Sequence, residues 1–129
     1  MAIGGEIVLT QKAEGGAIEA DLAVTQGTAA DGVRLPAAAG DRAKGISALK
    51  ADAAGKALPV IIQGPAVGIA AGAITAGTFV KVAGTTGKLT AVGGESAGTT
   101  VEVVGLALTA AAADGDKLDL LVAPFRYKA

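Results

Sequence analysis

The sequence predicts a mostly β protein, a small barrel or sandwich made of two related β-modules behind an extended N-terminal arm. Three observations predict it. Turn residues recur about every 8–12 positions, the spacing of short strands. Several of the segments between them alternate apolar and polar residues with period two, which is the mark of a half-buried strand. The chain is also laid out twice: "GISALKADAAGKALPVII" (45–62) returns sixty positions later as "GLALTAAAADGDKLDLLV" (105–122). Gly45 aligns with Gly105, Gly55 with Gly115 and Leu58 with Leu118, without a gap.

The elements follow in order. "EIVLT" (6–10) is an apolar first strand, set off by Glu14-Gly15-Gly16. "IEADLAVT" (18–25) puts Ile18, Ala20, Leu22 and Val24 on one face and Glu19, Asp21 and Thr25 on the other. "ISALKADAA" and "LALTAAAA" are alanine-rich, and alanine is the best helix former. Each is short and ends in a glycine turn, so a strand leading into a loop, or a single helical turn, is expected. "TFVKV" (78–82) and "KLTAV" (88–92) form a hairpin across "AGTTG". "TVEVVGLAL" (100–108) is a valine-rich strand in which Gly105 marks a bulge or a close approach. "KLDLLV" (117–122) closes the set. The expected organisation is an arm over residues 1–16 and one β domain over 17–129, with repeat units at about 24–64 and 80–124.

Composition narrows the chemistry. Hydrophobic residues make up 51 % of the chain but aromatics only 2 %, so the core is built from Ala, Val, Leu and Ile. Alanine adds little burial per residue, which favours self-association or docking on a partner. There is no Cys and no His, which excludes disulfides, thiolate catalysis and the commonest general base and metal ligand. Eleven basic and twelve acidic residues without a charge block give no footprint for nucleic acid. The N-terminus has no basic leader region, so no secretory signal is expected. Residues 57–80 carry no charge, but Pro59, Pro65, Gln63 and the glycines would break a spanning helix; buried strands are expected there and no membrane partner.

Site motifs fail on spacing. "GTTGKL" (84–89) has Val82 where a phosphate loop needs its first glycine and Leu89 in place of the hydroxyl. Asp114, Asp116 and Asp119 lack the closing bidentate Glu of a calcium loop, and Asp-Gly is a turn pair. Glu6, Glu14, Glu19 and Asp21 fall on predicted exposed faces or loops, with nothing beside them to tune a general acid. No catalytic, cofactor-binding or metal residue is assigned.

The remaining unusual features point outward. The arm gathers Ile3, Ile7, Val8 and Leu9 around Glu6, and such an arm can add as a strand to another protein's sheet or serve as an edge strand of its own. The C-terminus "VAPFRYKA" gathers Phe125 and Tyr127, which form a contact surface or plug the barrel end.

The run "AITAGTFVKV", "GKLTAV" and "VVGLALTAAAADGDKLDLLVAP", with "DGVRLPAAAGDRAKGISALKADAAGKALPVII" before it, resembles the capsid cement (decoration) proteins of tailed bacteriophages. The likeness runs from about Val24 to Val122, and departs at Thr78, where that family often has an acidic residue. It implies a non-enzymatic protein without cofactors that binds the outer surface of the major capsid protein lattice and stabilises the shell, after a stay in the host cytoplasm. It also implies self-association, as a homotrimer or a dimer. On this reading Ile3, Glu6, Ile7, Val8 and Leu9 contact the capsid, and Phe125 and Tyr127 contact another copy. Biotinyl and lipoyl carrier domains offer an alternative, since they too are two-halved β-barrels. They need a lysine at a hairpin tip in a flank such as Met-Lys-Met, and Lys117, the nearest match, lacks it. An enzyme or a sugar-binding module is disfavoured by the missing His and Trp.

Overall fold

The computed structural model describes residues 6–129. Among these residues nine strands form one continuous sheet: β1 (Ile7–Ala13), β2 (Ala23–Gln26), β3 (Gly32–Arg34), β4 (Gly45–Ser47), β5 (Ala57–Ile69), β6 (Phe79–Val82), β7 (Leu89–Ala91), β8 (Thr100–Ala107) and β9 (Lys117–Lys128). Their order is β1-β3-β2-β4-β5-β9-β8-β6-β7, and β1 also pairs with β5. The first five strands therefore close into a ring. A parallel bridge from Leu89 to Ala70, just past the end of β5, brings β7 back and closes β5-β9-β8-β6-β7 as a second ring. The expected mostly β fold of two related modules is what forms, with no helix among the described residues.

Both rings hang on β5. Its first half pairs antiparallel with β1 (Lys12 opposite Ala57, Ile7 opposite Gln63), and its second half with β9 (Gly64 opposite Val122, Ile69 opposite Lys117). The change of partner falls at Gly64, which has a φ of 106°. The backbone of Glu6 passes so close that a Cβ on Gly64 would sit 2.6 Å from the Glu6 Cα. Only glycine meets both demands.

The sequence repeat is a repeat of hydrogen bonds. Ile18 and Ala51 exchange backbone bonds of 3.0 and 2.8 Å, and Ile74 and Ala111 do the same at 2.9 Å each. The amide of Gly55 donates to Ala13 and that of Gly115 to Ala70, both at 2.8 Å. Ala48 donates to Pro59, and sixty residues on Leu108 donates to Asp119. The aligned glycines do the same job in each copy. A Cβ on Gly45 would lie 2.3 Å from the carbonyl oxygen of Ile61, and one on Gly105 would lie 2.1 Å from that of Leu121. Each glycine lets its strand press against the backbone of the next.

The two alanine-rich stretches run as β4 and the end of β8 into turns, so the strand-into-loop expectation holds. The alternation expected over 18–25 does not continue as one strand. Ile18 is held by its isolated bridge, the chain turns at Asp21 with a φ of 67°, and β2 starts only at Ala23. Aspartate tolerates this left-handed backbone better than most residues. Ser47 fixes the turn: its fully buried hydroxyl donates to the carbonyl of Glu19 at 2.8 Å and accepts from the amide of Leu22 at 3.1 Å. Beyond the turn β2 is buried on both faces, because Val24 belongs to the core of the first ring and Ala23 to the core of the second. A strand shared by two cores loses its polar face.

If these glycines set the ring geometry, Gly45→Ala and Gly105→Ala each cost about 3 kcal/mol of stability in urea unfolding, the range for forced overpacking. Gly72, with nothing within 4 Å of where a Cβ would stand, accepts alanine at a cost within about 0.5 kcal/mol.

Candidate interaction surfaces

The described part of the expected arm is a strand of the first ring. β1 is hydrogen-bonded along β5, while its pairing with β3 covers only Lys12 and Ala13. Hydrogen-bonding direction alternates along a strand. The amide of Ala13 points to Lys56 beyond β5, while those of Lys12 and Glu14 point to Asp31 and Val33 on the β3 side. By the same alternation the amides of Val8 and Thr10 point away from β5, where no strand among the described residues pairs with them. Ile7, Val8 and Leu9 are 44 %, 47 % and 37 % exposed. An apolar strand edge without a lysine or proline before Lys12 is an unprotected template for strand addition. Glu6 leads into this edge against Gly64, and Ile3 lies outside the described residues.

Phe125 and Tyr127 come together as the sequence suggested, on the outer face of β9. Their ring centroids are 6.2 Å apart. A third member, Phe79, packs edge-to-face on Phe125 at 5.2 Å. All three aromatic residues of the chain thus share one surface cluster, with Phe79 and Phe125 45 % and 41 % exposed. The sequence carried a signal for Phe79: Val80 and Val82 alternate with it as core residues, so the ring must face outward. Cross-strand pairing puts Val103 opposite Phe125 and Leu106 opposite Phe79, which extends the apolar face across β8.

The polar clusters are spent on structure. Asp114 pairs with Lys88 at 2.9 Å, and Asp116 accepts the amides of Ala112 and Ala113, so these carboxylates do not converge. No group of three or more Asp and Glu side chains among the described residues could hold a metal ion. The Gly84–Leu89 stretch is the β6–β7 turn, and Gly87, with a φ of 83°, presents its carbonyl to the amide of Ala23. Lys117 opens β9 instead of standing at a hairpin tip and is ion-paired with Asp21 at 3.2 Å. Residues 57–69 are β5, and no helix among the described residues is long and apolar enough to cross a membrane.

No protein-family model and no curated protein matches the chain. Among solved structures, it is similar to the N base of the head fiber gp8.5 in bacteriophage phi29. That likeness has a TM-score of 0.65 and covers 92 % of this chain and 94 % of the other, at 18 % sequence identity. It is a likeness of fold.

Two carboxylates stand out electrostatically, both of them loop clamps. Glu14 accepts the amides of Thr28 at 2.8 Å and Ala29 at 3.0 Å, and these bonds hold its carboxyl below the usual range. It thereby ties the end of β1 to the β2–β3 turn. Glu95 is lowered by its bond to the Lys81 ammonium at 2.5 Å and by the amide of Gly93. Both shifts run opposite to the rise that makes a carboxyl a general acid at neutral pH. A depressed folded-state pKa contributes stability above the ordinary carboxylate pKa, and that contribution fades as pH falls through the folded value. Glu14→Gln is therefore less stable than the parent at neutral pH, and the difference between their urea midpoints narrows as pH falls below the ordinary carboxylate pKa. A constant difference across that range would place the effect of Glu14 in packing, not charge.

Proposed function

We propose that the chain is a structural protein of a phage virion, a non-enzymatic cement (decoration) protein that binds the outer surface of the major capsid protein lattice and stabilises the shell. The observation that carries the reading is the fold shared with a phage head-fiber base over 92 % of the chain. The resemblance of the repeat segments to cement proteins supports it, and so does a surface whose distinctive groups are apolar. On this reading the open edge of β1 receives an extended strand of the shell protein. Main-chain bonds to Val8 and Thr10 would fix register, and the side chains of Ile7, Val8 and Leu9 would be covered beside Glu6. The cluster of Phe79, Phe125 and Tyr127 supplies a self-association face, which suits a homotrimer on a lattice with local threefold symmetry. The chain waits in the host cytoplasm until shells form. Many copies on one shell give avidity, so each contact can be modest. A chain stabilised by thin alanine packing gains further from docking, because binding the folded state raises its stability by mass action.

The test is co-sedimentation of the purified chain with purified shells, parent against Val8→Pro. Proline removes an amide that points away from β5, so it leaves the β1–β5 ladder intact and blocks strand addition. The parent binds to saturation and Val8→Pro, folded by circular dichroism, does not. Equal binding by the two overturns the edge assignment, and no binding by the parent overturns the cement function.

A further inference from the structure

The end of β9 passes the first ring at Pro124, leaving a cleft of about 430 Å³ lined by Gln26, Arg42, Ala43, Lys44 and Pro124. Arg42 and Pro124 also line a smaller cleft of about 210 Å³ that continues to Glu102, Phe125 and Arg126. Sharing two walls, the clefts form one groove where the rings meet.

Its charges are unbalanced. Arg126 is paired with Glu102 at 2.5 Å. Among the described residues, Arg42 and Lys44 have no carboxylate within ion-pair distance. The Lys44 ammonium donates instead to neutral oxygens, the side-chain carbonyl of Gln11 at 2.5 Å and the backbone carbonyl of Ala30 at 3.3 Å. Asp41, next to Arg42, and Asp31, next to the Ala30 carbonyl that Lys44 reaches, are engaged elsewhere. Asp41 turns into its own loop to accept the amides of Ala37 and Ala38, and Asp31 lies 3.9 Å from Lys12. A chain with a formal net charge of −1 thus carries a locally positive groove.

We propose that this groove binds an acidic, extended segment of a partner protein, with carboxylates on Arg42 and Lys44 and an apolar side chain against Pro124. Arg42 is exposed, and its planar guanidinium can take a carboxylate through two parallel bonds. Lys44 is placed in advance by Gln11, which lowers the ordering cost of binding. Nucleic acid is the poorer occupant. Strand binding neutralises a run of phosphates and stacks successive bases, whereas the groove offers two uncompensated cations and no row of rings. The inference rests on this chain's own charges and stands whether or not the partner is a shell protein.

The test uses the full chain and a fluorescent peptide of alternating Glu pairs and Leu, with a Gln-for-Glu peptide and a short deoxythymidine oligonucleotide as comparisons. Affinity is read by anisotropy and location by NMR shift mapping. The Glu peptide binds saturably with shifts at Gln26, Arg42, Ala43 and Lys44, the Gln peptide does not bind, and high salt weakens the complex. Arg42→Glu lowers affinity by about tenfold and Arg42→Gln by less, while Lys128→Glu changes it less than about twofold. Any of four results overturns the proposal: no saturable binding, shifts spread over Lys12, Lys50 and Lys56, equal occupancy of the groove by the oligonucleotide, or unchanged affinity in both folded Arg42 variants.

Discussion

The structure depends on one strand serving two rings. β5 gives its first half to β1 and its second to β9, and the hand-over happens at a glycine that no other residue could replace. A strand this long would otherwise leave half of each edge unpaired. Closing a ring around each half removes most of those edges, and the two closures share a single set of backbone restraints. Pro59 and Pro65 fit into such a strand because their carbonyls still accept; the amide of Ala48 donates to Pro59. The apolar length of residues 57–69 follows from the same arrangement, since Leu58 and Val60 fill one core and Ala66 lies in the other.

Small residues are the material this design needs. Gly45 and Gly105 let backbones approach within the reach of a missing Cβ, and Ala23, Ala43 and Ala66 line the core where the rings meet. Close backbone packing brings dispersion and hydrogen bonding in place of large side chains. Burial per residue remains small, and the chain keeps its three aromatics on the outside. Its largest apolar groups therefore stand on the surface, where the proposed contacts would cover them. On the proposed reading, the β1 edge, the aromatic cluster and the groove beside Pro124 would offer three different kinds of contact: main-chain, apolar and charged.

Much of the fold was legible because the repeat was written in glycines. The spacing of Gly45 and Gly55 from Gly105 and Gly115 reports a steric requirement, so it survives where side chains diverge. The turn residues of "AGTTG" located β6 and β7, and Leu118 and Leu120 on one face located β9, which has one wet face. Alternation failed at β2, where Ala23 and Val24 face two different cores and period two has no meaning. At β1 the sequence marked a strand, and left open whether it would pair in its own sheet or with another protein. Ile7, Val8 and Leu9 are all exposed to similar extents, and nothing in a run of apolar residues says that one edge is bonded to β5 and the other open. Phe125 and Tyr127 could be singled out by position, but Phe79 joins them only through the pairing of β6, β8 and β9, which lies forty-six residues away in sequence from Phe125.

The claim that this architecture serves a virion shell is most directly tested by quantitative peptide mass spectrometry on purified particles from the source of the sequence. The account predicts this chain at a copy number comparable with that of the major shell protein, as a lattice-covering contact requires. Its absence, or a presence of only a few copies per particle, would contradict the account and leave the two rings as a shared fold put to another use.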